Sequence, residues 1–347
     1  MTALPWWHPD SFARRRPFLA IRSRILAATR HFFDLHDFIE VETPALQVSP
    51  GVEPHLLPFA TELQGPHPDQ RQTLYLHTSP EFAMKKLLVA GLPRLWQLAR
   101  VFRNGERSAT HHPEFTMLEW YRAGAGYRDL IVDCVDLVRA GARAAGSNWF
   151  RFNGIECDPF ADWQVLPVAE AFTRYAGIDL LATAPEPLVP DFDRLAAAAA
   201  AVGIHAHDGD RWEDLFFRIL LERVEPHLGH GVPTVLIDYP ASMAALARPK
   251  PEDTRVAERF ELYLCGVELA NAFGELTDPV MQRDRFAADQ ALQRQLYGRC
   301  VPHDPDFLAA LDHGLPDSAG IALGFDRLVM LAGGAKTIED VLWAPVA

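Results

Sequence analysis

Side chains alternate in character along the stretch that ends at Tyr121, and this alternation predicts a β-strand with two different faces. One face carries an aromatic ring, a thioether, a carboxylate and a phenol, namely Phe115, Met117, Glu119 and Tyr121. The other face is expected to lie against the core and carries Thr116, Leu118 and Trp120. On the first face, the ring can stack on a base while the carboxylate and the phenol hold a cation. The pattern therefore predicts the floor of a binding pocket.

A second pair of predicted strands meets at Cys265 and Gly266, which suit a two-residue hairpin turn. In the register set by this turn, Glu261 and Glu268 are diagonal neighbours on one face, roughly 7–8 Å apart at their Cα atoms. Two carboxylates so placed repel each other unless a cation lies between them, and oxygen ligands suit the Mg²⁺ carried by nucleotide phosphates. The alternative is a solvated strand edge with two unrelated glutamates.

Asn271, Phe273 and Glu275 continue the second strand of this hairpin with the same alternation. Strict alternation puts these three side chains on the face opposite to Glu268. A β-bulge adds one residue to a strand and reverses the faces beyond it. All of these side chains therefore share one pocket only if a bulge falls near Ala270.

Two arginines stand at the ends of predicted strands, where a guanidinium can grip a phosphate. Arg103 precedes the polar loop of residues 104–113, and a structural salt bridge is an equal alternative for it. Arg327 lies near the start of a helix that follows a glycine-punctuated strand, residues 320–324, and the amides at a helix start favour anions. The Gly-Lys-Ser/Thr element of a Walker loop is absent, and plain strand–helix packing remains an alternative.

The rest of the chain predicts one α/β domain over residues 1–347, of the α+β type. An amphipathic helix near the amino terminus places Phe18, Ile21, Ile25 and Phe32 on one face. Proline-rich breaks bracket a helical insertion at about residues 185–250. Strands do not alternate regularly with helices, so a mostly antiparallel sheet flanked by helices is expected rather than a doubly wound parallel sheet.

Composition narrows the function classes. The 347 residues carry a net charge of −13, which argues against a large nucleic-acid-binding surface. Apolar residues make up 49% of the chain, which is enough for a sizeable core. No run of about 18 apolar residues is present, so no membrane span is expected. The four cysteines show no zinc-ligand spacing and fit a reducing cytoplasm. Arg15 and Arg16 resemble a twin-arginine export signal, but further arginines interrupt the apolar stretch that such a signal needs.

Three segments in order resemble the motifs of class II aminoacyl-tRNA synthetases. Residues 38–44 (FIEVETP) resemble motif 1, which forms the dimer interface in that family; residues 100–121 resemble motif 2, and residues 320–327 resemble motif 3. The match is strongest to lysyl-tRNA synthetase catalytic domains and covers roughly residues 17–345. Motif 1 begins near Asp37, so we expect no anticodon-binding OB-fold domain ahead of it.

With no OB-fold domain expected, the chain resembles the EpmA (PoxA or GenX) family of truncated lysyl-tRNA synthetase paralogues. Residues 78–91 and 112–122 resemble the same family. Members of that family attach lysine, preferably (R)-β-lysine, to a lysine side chain of elongation factor P. The resemblance implies a cytoplasmic, homodimeric, ATP- and Mg²⁺-dependent ligase that uses elongation factor P rather than tRNA as its acceptor. The alternatives are a truncated enzyme that acylates tRNA or another acceptor, and a non-catalytic regulatory paralogue.

The resemblance also implies roles for individual residues. Arg103 and Arg327 would be the catalytic arginines, on the α- and γ-phosphates respectively. The ATP site would comprise these two and Asn104, Glu106, His111, Phe115, Glu261 and Glu268, of which Glu261 and Glu268 would carry Mg²⁺. The amino-acid site would comprise Glu81, Glu119, Tyr121, Asn271, Phe273, Glu275 and Ala322. We expect several carboxylates and no cation beside the substrate side chain, an arrangement that favours a diamino acid over aspartate.

Two positions depart from the synthetase pattern. Ala322 stands where lysyl-tRNA synthetases have glycine, and its methyl group is expected to favour a β-amino over an α-amino isomer by about 1–3 kcal/mol. Gly105 stands where motif 2 has a glutamate that contacts the nucleotide, and the adjacent Glu106 would compensate. From the residues alone, Glu81 could instead be a surface cap, His111 a loop hydrogen-bonder and Tyr121 a core residue.

Overall fold

The computed structural model describes residues 4–51, 53–67 and 69–346. The strands are β1 (Ile39–Glu40), β2 (Leu46–Gln47), β3 (Phe59–Gln64), β4 (Arg71–Leu76), β5 (Arg94–Phe102), β6 (Glu114–Ala123), β7 (Phe150–Phe152), β8 (Ile155–Cys157), β9 (Gln164–Pro167), β10 (Thr234–Pro240), β11 (Pro249–Lys250), β12 (Asp253–Leu264), β13 (Val267–Gly274) and β14 (Ser318–Gly324). The α-helices are α1 (Pro9–Leu35), α2 (Glu81–Val89), α3 (Tyr127–Ala145), α4 (Val168–Ala171), α5 (Phe192–Ala201), α6 (Trp212–Ile219), α7 (Pro279–Tyr297), α8 (Pro305–Gly314) and α9 (Phe325–Gly333).

A nine-stranded sheet organises the molecule, in the order β1-β5-β6-β14-β13-β12-β10-β9 with β11 beside β12. Its pairs are antiparallel except β1 with β5 and β10 with β9. The expectation of a mostly antiparallel sheet flanked by helices is confirmed. Two small sheets lie outside it, β2-β4-β3 and β7-β8. Among the described residues, no helix is both long enough and apolar enough to cross a bilayer.

The main core lies between one face of this sheet and the helices α1, α3 and α9. Ile25 and Phe32 of α1 are buried in it, and Phe18 and Ile21 pack against it, as the amphipathic pattern predicts. Leu118 and Trp120 of β6 are fully buried in the same core, so the predicted inward face is confirmed. The opposite face of the sheet is left to form a cavity.

The hairpin between β12 and β13 has the predicted turn and register. Cys265 and Gly266 both have positive φ, 55° and 71°, as a tight hairpin turn of the twist-matched kind requires. Leu262 pairs with Ala270, but Tyr263 pairs with Glu268. The pairing therefore skips position 269, so a β-bulge falls beside Ala270 and turns the following residues to the face of Glu268.

The predicted helical insertion at about 185–250 has different bounds in the structure. Its helices α5 and α6 pack in a second core, which α4 already enters at Val168. The segment Thr234–Pro240 is instead a strand of the main sheet, between β9 and β12. That segment is apolar and nearly all buried, and such a run has no periodicity that separates a buried strand from a buried helix.

Candidate active site

A cavity of about 340 Å³ opens on the sheet face opposite the main core. Its wall is built by β6, β13 and β14, the start of α2, and the loop and helix start that carry the two arginines. The predicted residues that line it are Glu81, Arg103, Glu106, His111, Phe115, Glu119, Tyr121, Glu261, Glu268, Asn271, Phe273, Ala322 and Arg327. Residues from four separate parts of the chain thus meet in one place.

Two predicted residues are not on the cavity wall. Asn104 is exposed in the turn after β5, where its backbone N–H donates to the carbonyl of Leu57 at 2.7 Å. Glu275 is buried just after β13, and its carboxylate lies 2.5 Å from the ammonium of Lys85. The first lies outside the cavity and the second lies behind its wall.

Arg327 is held at one end of the cavity. Its guanidinium donates to the carbonyl of Glu268 at 2.7 Å, to the carbonyl of Thr110 at 3.2 Å and to Nε2 of His111 at 2.8 Å. Burial, and then the positive charge of Arg327, lower the pKa of His111, so the imidazole is neutral and accepts this bond. The positive charge of Arg327 also acts on the nearby carboxyls of Glu268 and Glu225.

A buried network fixes the helix start that carries Arg327. Its neighbour Asp326 accepts from the backbone N–H of Thr116 at 2.7 Å and pairs with Arg22 of α1, which also donates to the Thr116 hydroxyl at 2.9 Å. Helix α9 is thereby tied to strand β6 and to α1. The two arginine-bearing segments are therefore held in a fixed relation to each other.

Arg103 lines the cavity, and its positive charge acts on the carboxyls of Glu119 and Glu268. Its guanidinium lies over the ring of Phe115, 5.3 Å from the centroid, and its Nε is buried without a hydrogen-bond partner. Within the described residues it forms no ion pair, so the salt-bridge alternative for Arg103 is not what the structure contains. A guanidinium without a close ion pair favours binding of an anion, and a phosphate or carboxylate fits its fork.

The two glutamates expected to carry Mg²⁺ differ in their partners. Glu261 accepts from the hydroxyls of Tyr239 at 2.5 Å and Tyr263 at 2.6 Å, and from Arg259 at 2.6 Å. Glu268 has no such side-chain partner among the described residues, and burial together with the charge of Glu261 raises its pKa to about 7. Of these two glutamates, Glu268 therefore gains more from a cation.

This pair of side chains fits a Mg²⁺ ion shared with a nucleotide. A carboxylate offers about four acceptor positions, so the three donors on Glu261 leave about one for a metal. Glu268 lines the cavity and has no side-chain hydrogen bond among the described residues. Mg²⁺ usually takes one or two carboxylates and completes its shell with phosphate oxygens and water.

The other end of the cavity is acidic and buried. Both oxygens of Glu119 are occupied, by the hydroxyl of Ser79 at 2.6 Å and that of Tyr121 at 3.0 Å. Burial is the main cause that raises the pKa of Glu119 to about 8, and the charge of Glu81 adds to it. The empty pocket therefore holds this carboxyl protonated at neutral pH, and an entering ammonium would let it ionise.

A cation that the sequence analysis does not name, Lys85, lies behind the wall at this end. Lys85 lies 2.5 Å from Glu81 and 2.5 Å from Glu275, with its side chain only 1% exposed. Glu81 and Lys85 are four residues apart on α2, a spacing that brings side chains together on a helix and that could have indicated this pair. The partner across the fold, Glu275, could not be inferred from spacing.

Comparison with known proteins identifies the family of this chain. The family model for class II tRNA synthetases (D, K and N) matches residues 12–346. The chain belongs to this family. A protein of Klebsiella pneumoniae (strain 342) is 40% identical over 347 residues, which cover 99% of this chain and 98% of the relative. Proteins of Haemophilus influenzae (strain PittGG) and Edwardsiella ictaluri (strain 93-146) are each 39% identical, with the same coverage. All three are named elongation factor P–(R)-β-lysine ligase.

Two further residues of this class II tRNA synthetase cavity, Ser79 and Arg259, were not predicted from the sequence. Ser79 bonds Glu119 and also caps the backbone N–H of Glu81 at 3.0 Å. Arg259 donates to Glu261 and, at 3.2 Å, to the side-chain oxygen of Asn271. Arg259 alternates with Glu261 along β12, and this period of two was the available signal. Ser79 gives no comparable signal, because its contact is made across the fold.

Proposed function

We propose that this protein is an ATP-dependent ligase that activates lysine or (R)-β-lysine as an adenylate. It then transfers the acyl group to the side-chain amine of a lysine on elongation factor P. The observation that carries this is a single cavity lined by two guanidinium groups at one end and by buried carboxyls at the other. Membership of the synthetase family and the names of the 39–40% identical relatives support the same reaction.

In the first step, a carboxylate oxygen of the amino acid attacks the α-phosphorus of ATP and pyrophosphate leaves. Arg103 would neutralise charge on the α-phosphate and the carboxylate, Arg327 would hold the γ-phosphate, and Phe115 would stack on adenine. Mg²⁺, held by Glu268 with Glu261, would supply positive charge to the phosphate oxygens. These groups act by positioning and by electrostatic stabilisation, which are the main contributions to phosphoryl-type transfer.

In the second step, the amine of the acceptor lysine attacks the acyl carbon and AMP leaves. The attacking amine must be neutral, so the acceptor lysine gives up its proton before attack. The neutral imidazole of His111 stands at the phosphate end, next to Arg327. We assign it a hydrogen-bonding role there rather than that of a base, because burial and Arg327 both lower its pKa.

Selection of the amino acid would follow from charge. Glu119, Tyr121 and Glu275 would hold the ε-ammonium of a diamino acid, and Glu81 would meet its other amino group. A neutral side chain would not form the ion pair that an ammonium forms with an ionised Glu119, so it would bind more weakly. Ala322 lies across the strand pairs from both Asn271 and Glu119, where its methyl group borders the amino-acid site.

Assembly and location follow as parts of the same proposal. Ile39 and Leu46, beside motif 1, are 48% and 45% exposed, and a homodimer would cover them. The net charge of −13 argues for a protein acceptor over tRNA. The four cysteines are all free thiols, which fits a cytoplasmic enzyme.

The deciding experiment is ATP–pyrophosphate exchange with lysine, (R)-β-lysine and norleucine, followed by intact mass of the acceptor. Exchange with the two diamino acids and not with norleucine is expected, together with a mass increase on elongation factor P. Acylation of tRNA instead would favour the truncated tRNA-acylating alternative. Binding of lysine without any exchange would favour the non-catalytic paralogue.

A further inference from the structure

Lys85 is a fully buried lysine with an acidic partner on each side. Its Nζ lies 2.5 Å from Oε1 of Glu81 and 2.5 Å from Oε2 of Glu275. The ring of Phe307 is its apolar neighbour, with the centroid 6.0 Å from Nζ. A buried ammonium is tolerated only when it is paired, and both of its partners here belong to the acidic end of the cavity.

The two partners lie at different depths. Glu81 begins α2 and lines the cavity, whereas Glu275 and Lys85 lie behind the wall. Oε1 of Glu275 is close to Tyr121, since a Cβ built on Gly320 would meet both, at 2.4 Å and 2.2 Å. Lys85 thus holds one carboxylate on the wall and one beneath it without facing the substrate itself.

The charges at this end can be counted group by group. Glu81, Glu119 and Glu275 are three carboxyl groups, and Lys85 is the ammonium placed among them. When all are ionised, two negative charges are left unmatched. A diamino acid brings two ammonium groups, so the charges would then balance in a part of the protein where imbalance is costly.

We propose that Lys85 is a positioning residue that holds the carboxylates of Glu81 and Glu275 in place to receive a substrate with two ammonium groups. This role deepens the proposed function and depends on it. Lys85 acts through these two glutamates and makes no contact with the amino acid.

The charged groups around Glu275 determine how its protonation changes when Lys85 is removed. Burial raises the pKa of Glu275, and the charge of Glu81 also raises it. Lys85 and Arg248 lower it, and the net pKa is about 7. The phenol of Tyr121 is the remaining polar neighbour and stays protonated, because burial raises its pKa well above the usual value. Without Lys85, Glu275 takes up a proton at neutral pH and can no longer accept an ammonium.

The test compares Lys85→Met with Lys86→Met in the exchange assay. Lys86 is the matched control, since it lies next on the same helix but pairs with Asp304, away from the cavity. For K85M we expect the KM for lysine or β-lysine to rise roughly tenfold or more at pH 7, with the KM for ATP within about twofold of wild type. In K85M, the acid limb of the pH profile, where kcat/KM for the amino acid falls at low pH, should move to higher pH. Lys85→Arg keeps the charge and should leave that limb in place. K86M should match wild type throughout.

A second variant covers the case in which K85M does not fold. The double variant K85M/E275Q leaves no unpaired carboxylate at position 275, and it should show the raised amino-acid KM without the shifted acid limb. Wild-type amino-acid KM in K85M or in the double variant would overturn the role of Lys85, as would equal losses for ATP and amino acid. If wild type itself gives no exchange with either diamino acid, the proposed function fails and this inference fails with it.

Discussion

Replacement of Gly320 by alanine should damage the amino-acid end of the cavity selectively. Gly320 lies in β14 between Tyr121 of β6 and Phe273 of β13. A Cβ at this position would come within 2.2 Å of the Tyr121 ring and 2.4 Å of Glu275. Ordinary contacts of this kind are 3.4–4 Å, so both side chains must move by about 1 Å or more. Both are almost fully buried, at 3% and 1% exposure, and have little room to do so.

The magnitude follows from the cost of overpacking. An extra methyl group in a packed site costs about 1–3 kcal/mol. If this cost falls on the bound state of the amino acid, its KM rises roughly 5- to 150-fold. The KM for ATP should change little, because the phosphate end is formed by Arg103 and Arg327. Exchange kinetics with either substrate varied, together with thermal denaturation, measure both effects.

Gly141→Ala is the matched control, because it makes the same chemical change inside helix α3. A Cβ there would meet Leu328 at 3.6 Å, an ordinary contact. Alanine in a helix interior should raise stability by about 0.5–1 kcal/mol and leave both KM values unchanged. A G320A enzyme with wild-type KM for the amino acid would refute the reasoning. So would a rise shared equally by ATP, since that would indicate general loss of structure.

Three further outcomes follow from the same geometry. Glu268→Gln should lower the rate of ATP–pyrophosphate exchange by about two orders of magnitude with little change in Tm. Glu261→Gln should also lower Tm, because the buried Arg259 loses its counter-ion. Equal Tm values for the two variants would contradict this. Ala322→Gly should shift preference toward α-lysine by about 1–3 kcal/mol in kcat/KM, and an unchanged ratio of the two isomers would exclude the methyl group as the selector. The raised pKa of Glu119, about 8 against 4.5, means that the folded protein binds more protons, so the substrate-free enzyme should lose stability as pH rises from about 5 to 8. Denaturant titrations across this range check that trend, and added lysine should reduce it.

The cavity floor and the hairpin could be predicted from the sequence because they depend on local periodicity. Side chains alternate along β6 whatever the rest of the chain does, and Cys265-Gly266 suits a tight turn by itself. The amphipathic face of α1 is likewise a property of one segment. The strand at Thr234–Pro240 was missed for the converse reason, since a short apolar run lacks a distinguishing period.

The sequence by itself thus determined which chemical groups are available, on which faces of which strands they stand, and that the sheet is mostly antiparallel. Only the tertiary structure decided where the bulge beside Ala270 falls, that Arg103 lacks an ion pair, and that Lys85 joins Glu81 to Glu275. Each of these depends on contact between segments far apart along the chain. Local backbone preferences carry no information about such contacts, because packing of the whole sheet against its helices sets them.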